Sequence, residues 1–346
     1  MFVFPVLSCV IAAAVVALRI QRRIPISRAV TRIHALALCI FFFDVPLAAV
    51  SAAERTVRQT FSVQPGCVLT VDAYRGGVVI DESPDAELRV VARVESTLSN
   101  ERDANDAVDA LKLDMKMEGN HVTVQARNPR ESRLRFVWNE DEPLDISFQI
   151  SVPSRCSLDL TTGRGGIVVG VLNGDMKART ENGTIFFRGV DGSVQASSGS
   201  GDIVVSRCSG NLSLSTRRGN IRAGTVRGRT EVKAANGDIE IQSAEGGIVA
   251  ATESGDVTIG FPKNFTEAAS VSASAGNVLA RFDPAANCAV KASSVWGRVE
   301  SALPLELDGA SAKTKLAGRL NRGGPLVTLR ANGGHVKIEP RQDGDE

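Results

Sequence analysis

The chain has 346 residues, 43% apolar and 23% charged, with 40 Lys+Arg against 39 Asp+Glu. That length supplies material for one or two cored domains, and the balanced charge offers neither a basic block for nucleic acid nor an acidic disordered tail. There are only three His and one Tyr, so a histidine-built hydrolase or metal centre is hard to assemble.

Residues 1–53 read as a targeting region. An apolar run over residues 1–18 is followed by Arg19, Arg22, Arg23, Arg28 and Arg32, then by a second apolar run from Ala35 to Val50 that ends in Ser51-Ala52-Ala53. Basic stretch, apolar stretch and small-residue cleavage site are the parts of a secretory signal, with cleavage after Ala52 or Ala53. The alternative is an uncleaved membrane anchor formed by residues 2–18. An exported chain can oxidise its cysteines, and four follow the cleavage point: Cys67, Cys156, Cys208 and Cys288.

Residues 54–160 form an N-terminal mixed β region. Residues 61–80 look like a first coil, in which Cys67-Val68-Leu69-Thr70-Val71 alternates and leads to Gly76-Gly77-Val78. Residues 81–145 are an excursion. Within it, Glu87–Glu95 alternates as a strand, and Asn100 caps a short helix whose apolar face is Ala104, Ala107, Val108 and Leu111. Period two returns through Leu113, Met115 and Met117, Gly119-Asn120 turns, and Val122–Ala126 completes a hairpin. Phe136–Trp138 and Ile146–Val152 supply further strands.

Residues 161–340 are dominated by a repeat. Glycine recurs every nine residues at 165, 174, 183, 192, 201, 210, 219, 228, 237, 246 and 255. Units such as Gly201-Asp202-Ile203-Val204-Val205 and Gly210-Asn211-Leu212-Ser213-Leu214 alternate with the strand period. Two kinds of unit alternate. One kind has Leu172, Val190, Cys208, Val226 and Ala244 at its eighth position; the other has Thr180, Ser198, Thr216, Ala234 and Thr252 at its seventh. The full period is therefore 18 residues, two strands and two unlike corners, which is the signature of a solenoid. Third and fifth positions point inward, among them Ile203, Val205, Leu212, Leu214, Ile239 and Ile241. The Thr/Ser column is expected to form a hydrogen-bonded ladder at one corner. The units at Gly276, Gly297 and Gly333 continue the pattern as looser successive coils ending in a cap, and residues 341–346 are a polar tail.

The fold class expected is thus all-β, a parallel β-solenoid with 18-residue coils and an N-terminal cap region holding one short helix. These features resemble the bacterial family of secreted repeat proteins labelled "putative adhesin", a family of unknown function. The likeness rests on Val152-Pro153, on Leu158-Asp159-Leu160-Thr161-Thr162-x-x-Gly165, and on units such as Ser198-Gly199-Ser200-Gly201-Asp202-Ile203, Thr216-Arg217-Arg218-Gly219-Asn220-Ile221 and Thr252-Glu253-Ser254-Gly255-Asp256-Val257. It covers residues 60–338. The resemblance implies a cell-envelope or surface protein, with some members accompanying envelope-stress systems, and it supplies no catalytic residues.

Candidate sites are few. Asp175, Asp202, Asp238 and Asp256 follow repeat glycines, but calcium rolls place the Asp two residues before the inward position. Here it immediately precedes that position, and turn chemistry explains it. Arg217, Arg218, Arg227 and Arg229 read as solvated corners, and His121 and His335 as surface residues. No metal, cofactor or catalytic set is expected. Positions 18 apart stack, so Val168, Phe186 and Val204 form an outward apolar column that continues as Arg222, Glu240 and Thr258. This column is either covered by the 81–145 excursion and its helix or is a partner patch. Cys67 and Cys156 stand nine residues before matching glycines and are a candidate disulfide on stacked coils. The function expected is an exported, non-enzymatic envelope or surface protein that binds a protein or glycan partner, with no nucleic acid and no membrane contact beyond an uncleaved N-terminal segment. The alternatives are a membrane-tethered envelope-stress or signalling protein and a glycan-active β-helix enzyme.

Overall fold

The computed structural model describes residues 53–127, 144–309 and 312–341. The targeting region up to Ala52, the strand expected at Phe136–Trp138 and the tail from residue 342 lie outside them.

The N-terminal elements are Glu54–Ser62 (β1), Cys67–Ala73 (β2), Gly77–Ser83 (β3), Glu87–Ser96 (β4), the helix Glu101–Ala110 (α1), Lys112–Glu118 (β5), His121–Arg127 (β6) and Leu144–Pro153 (β7). Asn100 caps α1 as its sequence position predicts, its side chain accepting the Arg102 N–H at 3.1 Å. The helix joins a strand of one sheet to a strand of the other and buries Ala104, Ala107 and Val108. Gly119, at φ +63°, makes the β5–β6 turn.

The repeat region is an unbroken alternation between two sheets. Cys156–Arg164 (β8), Met176–Asn182 (β10), Val194–Ser200 (β12), Leu212–Arg218 (β14), Thr230–Asn236 (β16) and Ile248–Ser254 (β18) pair side by side in one sheet. Ile167–Asn173 (β9), Ile185–Asp191 (β11), Ile203–Cys208 (β13), Ile221–Val226 (β15), Ile239–Ala244 (β17) and Val257–Phe261 (β19) pair in the other. All these pairings are parallel, with register steps of 18 residues such as Leu212 to Thr230 and Ile221 to Ile239. The expected inward residues Ile203, Val205, Leu212, Leu214, Ile239 and Ile241 are at most 2% exposed. Ser213 and Glu240 are exposed and Val204 is half-buried on the outer face.

The difference between the two kinds of unit also has a structural cause. In β13 both Ser206 and Arg207 face outward before Cys208 turns back into the core. That extra outward residue is bulge-like, and it moves the inward position from the seventh to the eighth. The sheet of β12 and β14 lacks it, so Ser198 and Thr216 stay inward at the seventh position.

The C-terminal elements are Ala269–Ala275 (β20), Val278–Phe282 (β21), Cys288–Ser294 (β22), Val299–Ser301 (β23), Glu306–Leu307 (β24), Lys315–Leu320 (β25), Leu326–Ala331 (β26) and Val336–Pro340 (β27). Their spatial order corrects the expected succession of coils. The last coil in sequence, β26 and β27, lies between β20/β21 and β22/β23, pairing in parallel with both. Strand β22 has skipped a slot and pairs on its far edge with antiparallel β25. In that slot β26 buries Val327, Leu329 and Ala331, and both its edges are hydrogen-bonded.

The N-terminal end is built in the same way. Strand β2 sits between β6 and β8, and β3 between β7 and β9. Antiparallel β4 and β1, and antiparallel β5, close that end. Among the described residues the sheets contain 13 and 14 strands. One contiguous apolar core runs between them, from Ala53 to Ile338.

Candidate functional site

The corners show what the repeat residues do. The Asp202 carboxylate accepts the Asn220 N–H at 2.7 Å, the Asn220 carboxamide accepts the Asp238 N–H at 2.9 Å, and Asp238 accepts from Asp256 at 2.8 Å. The column continues through Asn277 and His335 to the N–H of Arg298. Each side chain thus satisfies a backbone donor of the next coil, which is why Asp, Asn and His interchange there. His335 is a member of this corner ladder, exposed and one residue before its strand. His121 is exposed, its Nε2 2.9 Å from the Thr70 hydroxyl. Among the described residues no group of three His, Cys, Asp or Glu side chains is placed to hold a metal ion.

The Thr/Ser column differs from its expected form. The hydroxyls do not bond one another. Each donates to a glycine carbonyl of the preceding coil: Thr180 to Gly165 at 3.0 Å, Ser198 to Gly183 at 3.1 Å and Thr252 to Gly237 at 2.9 Å. Alanine at 234 and 273 can therefore replace a member without breaking a chain of hydroxyls.

The outward apolar column is present in register. Val168 pairs with Phe186, Phe186 with Val204, and Val204 with Arg222. Val79 extends it by one strand beside Val168, a residue that 18-residue arithmetic missed because it precedes the excursion. Val79, Val168 and Val171 are 38%, 41% and 44% exposed, and Phe186 and Val204 are half-buried. Helix α1 packs against β4 and β1, so it is not the cover over Phe186 that its apolar face suggested; residues 128–143 of the excursion lie outside the described residues. Beyond Val204 the column turns polar, with Arg222 3.8 Å from Glu240 across exposed ends.

Cys67 and Cys156 are register partners on β2 and β8, both buried, with Sγ atoms 3.0 Å apart. Their hydrogen bond pushes the Cys156 thiol up, with burial adding to the effect, and holds Cys67 below its ordinary value. Cys208 and Cys288 are buried elsewhere; burial alone raises Cys288 to about 11. Arg217, Arg218, Arg227 and Arg229 are exposed at corners as expected. Arg217 also lines a shallow hollow of about 220 Å³ with Ser215, Lys233, Ala235 and Glu253.

One exposed feature escaped the sequence reading. Val295 and Trp296 are 61% and 85% exposed at a corner of the β22/β23 coil. Laying Ser294-Val295-Trp296-Gly297 over Thr216-Arg217-Arg218-Gly219 finds them, because those middle positions face solvent throughout the repeat.

No curated protein matches the chain. A crystal structure of a "putative adhesin" from Bacteroides fragilis is similar at 13% identity and TM-score 0.38, over 83% of this chain and 97% of that one. A "putative lipid binding protein" from Parabacteroides distasonis is similar at 13% identity and TM-score 0.40, over 82% and 96%. Another "putative adhesin" from Parabacteroides distasonis is similar at 10% identity and TM-score 0.37, over 83% and 97%. The family model described as Toastrack DUF4097 matches residues 69–339, a span running from β2 to β27 and holding every coil described above, and the chain belongs to that family.

Proposed function

We propose that this chain is an exported, non-enzymatic repeat protein of the cell envelope or surface that binds a protein partner through Val79, Val168, Phe186 and Val204. The observation that carries the proposal is the column itself: four apolar side chains stacked on the outer face of a sheet whose continuation is Arg222, Glu240 and Thr258. A contiguous apolar patch on a rigid sheet gains free energy when a complementary surface removes it from water. Valines and a phenylalanine with no hydrogen-bonding group among them suit an apolar protein surface better than a sugar. The corner carboxylates already accept backbone N–H groups, which supports a structural use for them over a catalytic one.

Export is supported by the basic, apolar and small-residue succession in residues 1–53. Sequencing the N-terminus of the mature chain tests it, with Ala53 or Glu54 expected first. Retention of residues 2–18 in a membrane fraction supports the tethered envelope-stress alternative instead. For the patch, Phe186→Asp is expected to lose a partner cross-linked by the unmodified protein, while Arg222→Ala keeps it and both retain the native melting temperature. Equal cross-linking by the two variants would refute the patch.

A further inference from the structure

We infer that Cys67 and Cys156 form a disulfide in the oxidised protein, a covalent staple that locks the intercalated β2/β3 coil against the repeat. The geometry is prepared from both sides. The two residues are directly opposite on parallel β2 and β8, and the preceding turn is pinned by the Gly66 N–H donating to the Arg155 carbonyl at 2.7 Å. Neighbouring strands lie about 4.7–4.9 Å apart, inside the roughly 4.4–6.8 Å that a disulfide spans between Cα atoms. Both side chains already point at each other, with Sγ atoms 3.0 Å apart in a site of 0% and 1% exposure.

The other cysteines among the described residues lack this arrangement. Cys208 pairs with Val190 and Val226, and Cys288 with Leu320. The placement is also selective within the fold. Strand β2 is a strand of the sequence-early coil that slots between β6 and β8. Its bond to β8 would close the whole excursion, 89 residues along the chain.

The chemistry is thiol–disulfide exchange with a disulfide oxidant such as glutathione disulfide. The Cys67 thiolate attacks a sulfur of the oxidant and expels one glutathione thiolate. The Cys156 thiolate then attacks Cys67 Sγ of the mixed disulfide and expels the second. Two protein thiols and one glutathione disulfide become one protein disulfide and two glutathione thiols, so electrons and protons balance. Burial places the reaction in folding, before the coil closes.

The inference rests on the export proposal only for an oxidising compartment, and the test removes that dependence. The purified full chain is refolded in a reduced and oxidised glutathione buffer, denatured, alkylated and digested with trypsin without reduction. The expected product is peptide Gln59–Arg75 linked to peptide Cys156–Arg164, absent after reduction. In addition, dithiothreitol is expected to lower the melting temperature of the wild type and to leave Cys67→Ala/Cys156→Ala unchanged. Recovery of both peptides alkylated, or linkage of Cys67 to Cys208 or Cys288, overturns the inference whatever the chain's location. An exported mature N-terminus combined with alkylated Cys67 would refute the staple and leave export standing.

Discussion

Leu212 is 1% exposed and its neighbour Ser213 points to solvent, so one residue of register separates a core position from a surface one. Replacing Leu212 with Ala leaves a cavity between two sheets held by the coils on either side, and is expected to cost about 2–5 kcal/mol. Ser213→Ala is expected to stay within about 0.5 kcal/mol. Urea denaturation of both variants measures the difference, and similar losses would displace the register. The corner positions are exacting for another reason. Gly237 adopts φ +151°, and a Cβ there would stand 1.9 Å from the Gly219 carbonyl oxygen, so the stacked glycines are required by close approach of successive coils. The next residue, Asp238, is a hydrogen-bond acceptor. Asp238→Ala removes the acceptor of the exposed Asp256 N–H and is expected to cost about 0.5–1.5 kcal/mol. Asp238→Asn is expected to be nearly neutral, because Asn220 performs the same role one coil away. A large loss in the Asn variant would mean that the charge of Asp238 matters beyond this bond.

At the level of elements, helix α1 is the one non-β component among the described residues, and it is where a short capping signal decides a boundary. Asn100 accepts the Arg102 N–H at 3.1 Å, and Glu101 and Asp103 lie in the first turn, where the helix dipole favours them. Asn100→Ala is expected to cost about 0.5–2 kcal/mol and to raise hydrogen exchange first in residues 101–110; unchanged exchange there would remove the cap from the account. Most strands were legible in the sequence because Gly plus alternation marks both the corner and the face, as at Gly201-Asp202-Ile203. The candidate disulfide pair was legible for the same reason, since Cys67 and Cys156 stand in equivalent positions before Gly76 and Gly165. Neighbour identity at the two ends was not legible. Alternation tells whether Val327 or Val290 faces the core, but either strand satisfies that requirement in either slot. Each of the two strands pairs on both edges, β26 with β20 and β22 and β22 with β26 and β25, so the order is a property of the assembled sheet and not of either strand's own pattern. The outward column was half legible. Its register came from 18-residue arithmetic, whereas its exposure depends on where α1 docks, and a helix's apolar stripe does not say which surface it will cover.

Across the described residues the two ends share one construction. At each end a coil is slotted between two neighbours that are both remote in sequence: β2/β3 between β8/β9 and β6/β7, and β26/β27 between β20/β21 and β22/β23. Antiparallel strands then follow, β1, β4 and β5 at one end and β24 and β25 at the other. Three of the four sheet ends therefore finish on antiparallel strands, and the 13-stranded sheet finishes on the short parallel strand β23 (Val299–Ser301), a short edge being one way to limit pairing with another chain. Between these ends the coils depend on their immediate neighbours, as in other repeat proteins, and this makes the period itself testable. Deleting Gly201–Arg218 removes one full coil and joins Ser200 to Gly219, which restores a Ser-x-Ser-Gly-Asn-Ile corner of the repeat type. Strand β12 then meets β16, and β11 meets β15, with every inward position preserved. The variant is expected to fold, to unfold in one urea transition, and to show a smaller denaturant slope because less surface is buried. Deleting only Gly210–Arg218 also keeps third and fifth positions inward, yet it sends every later strand to the opposite sheet. There the shifted inward position at Val226 and Ala244 meets partners built for Thr216 and Ala234. This shorter deletion is expected to aggregate or to lose cooperative unfolding. If the nine-residue deletion folds as well as the eighteen-residue one, the two corners are interchangeable and the repeat is nine residues long.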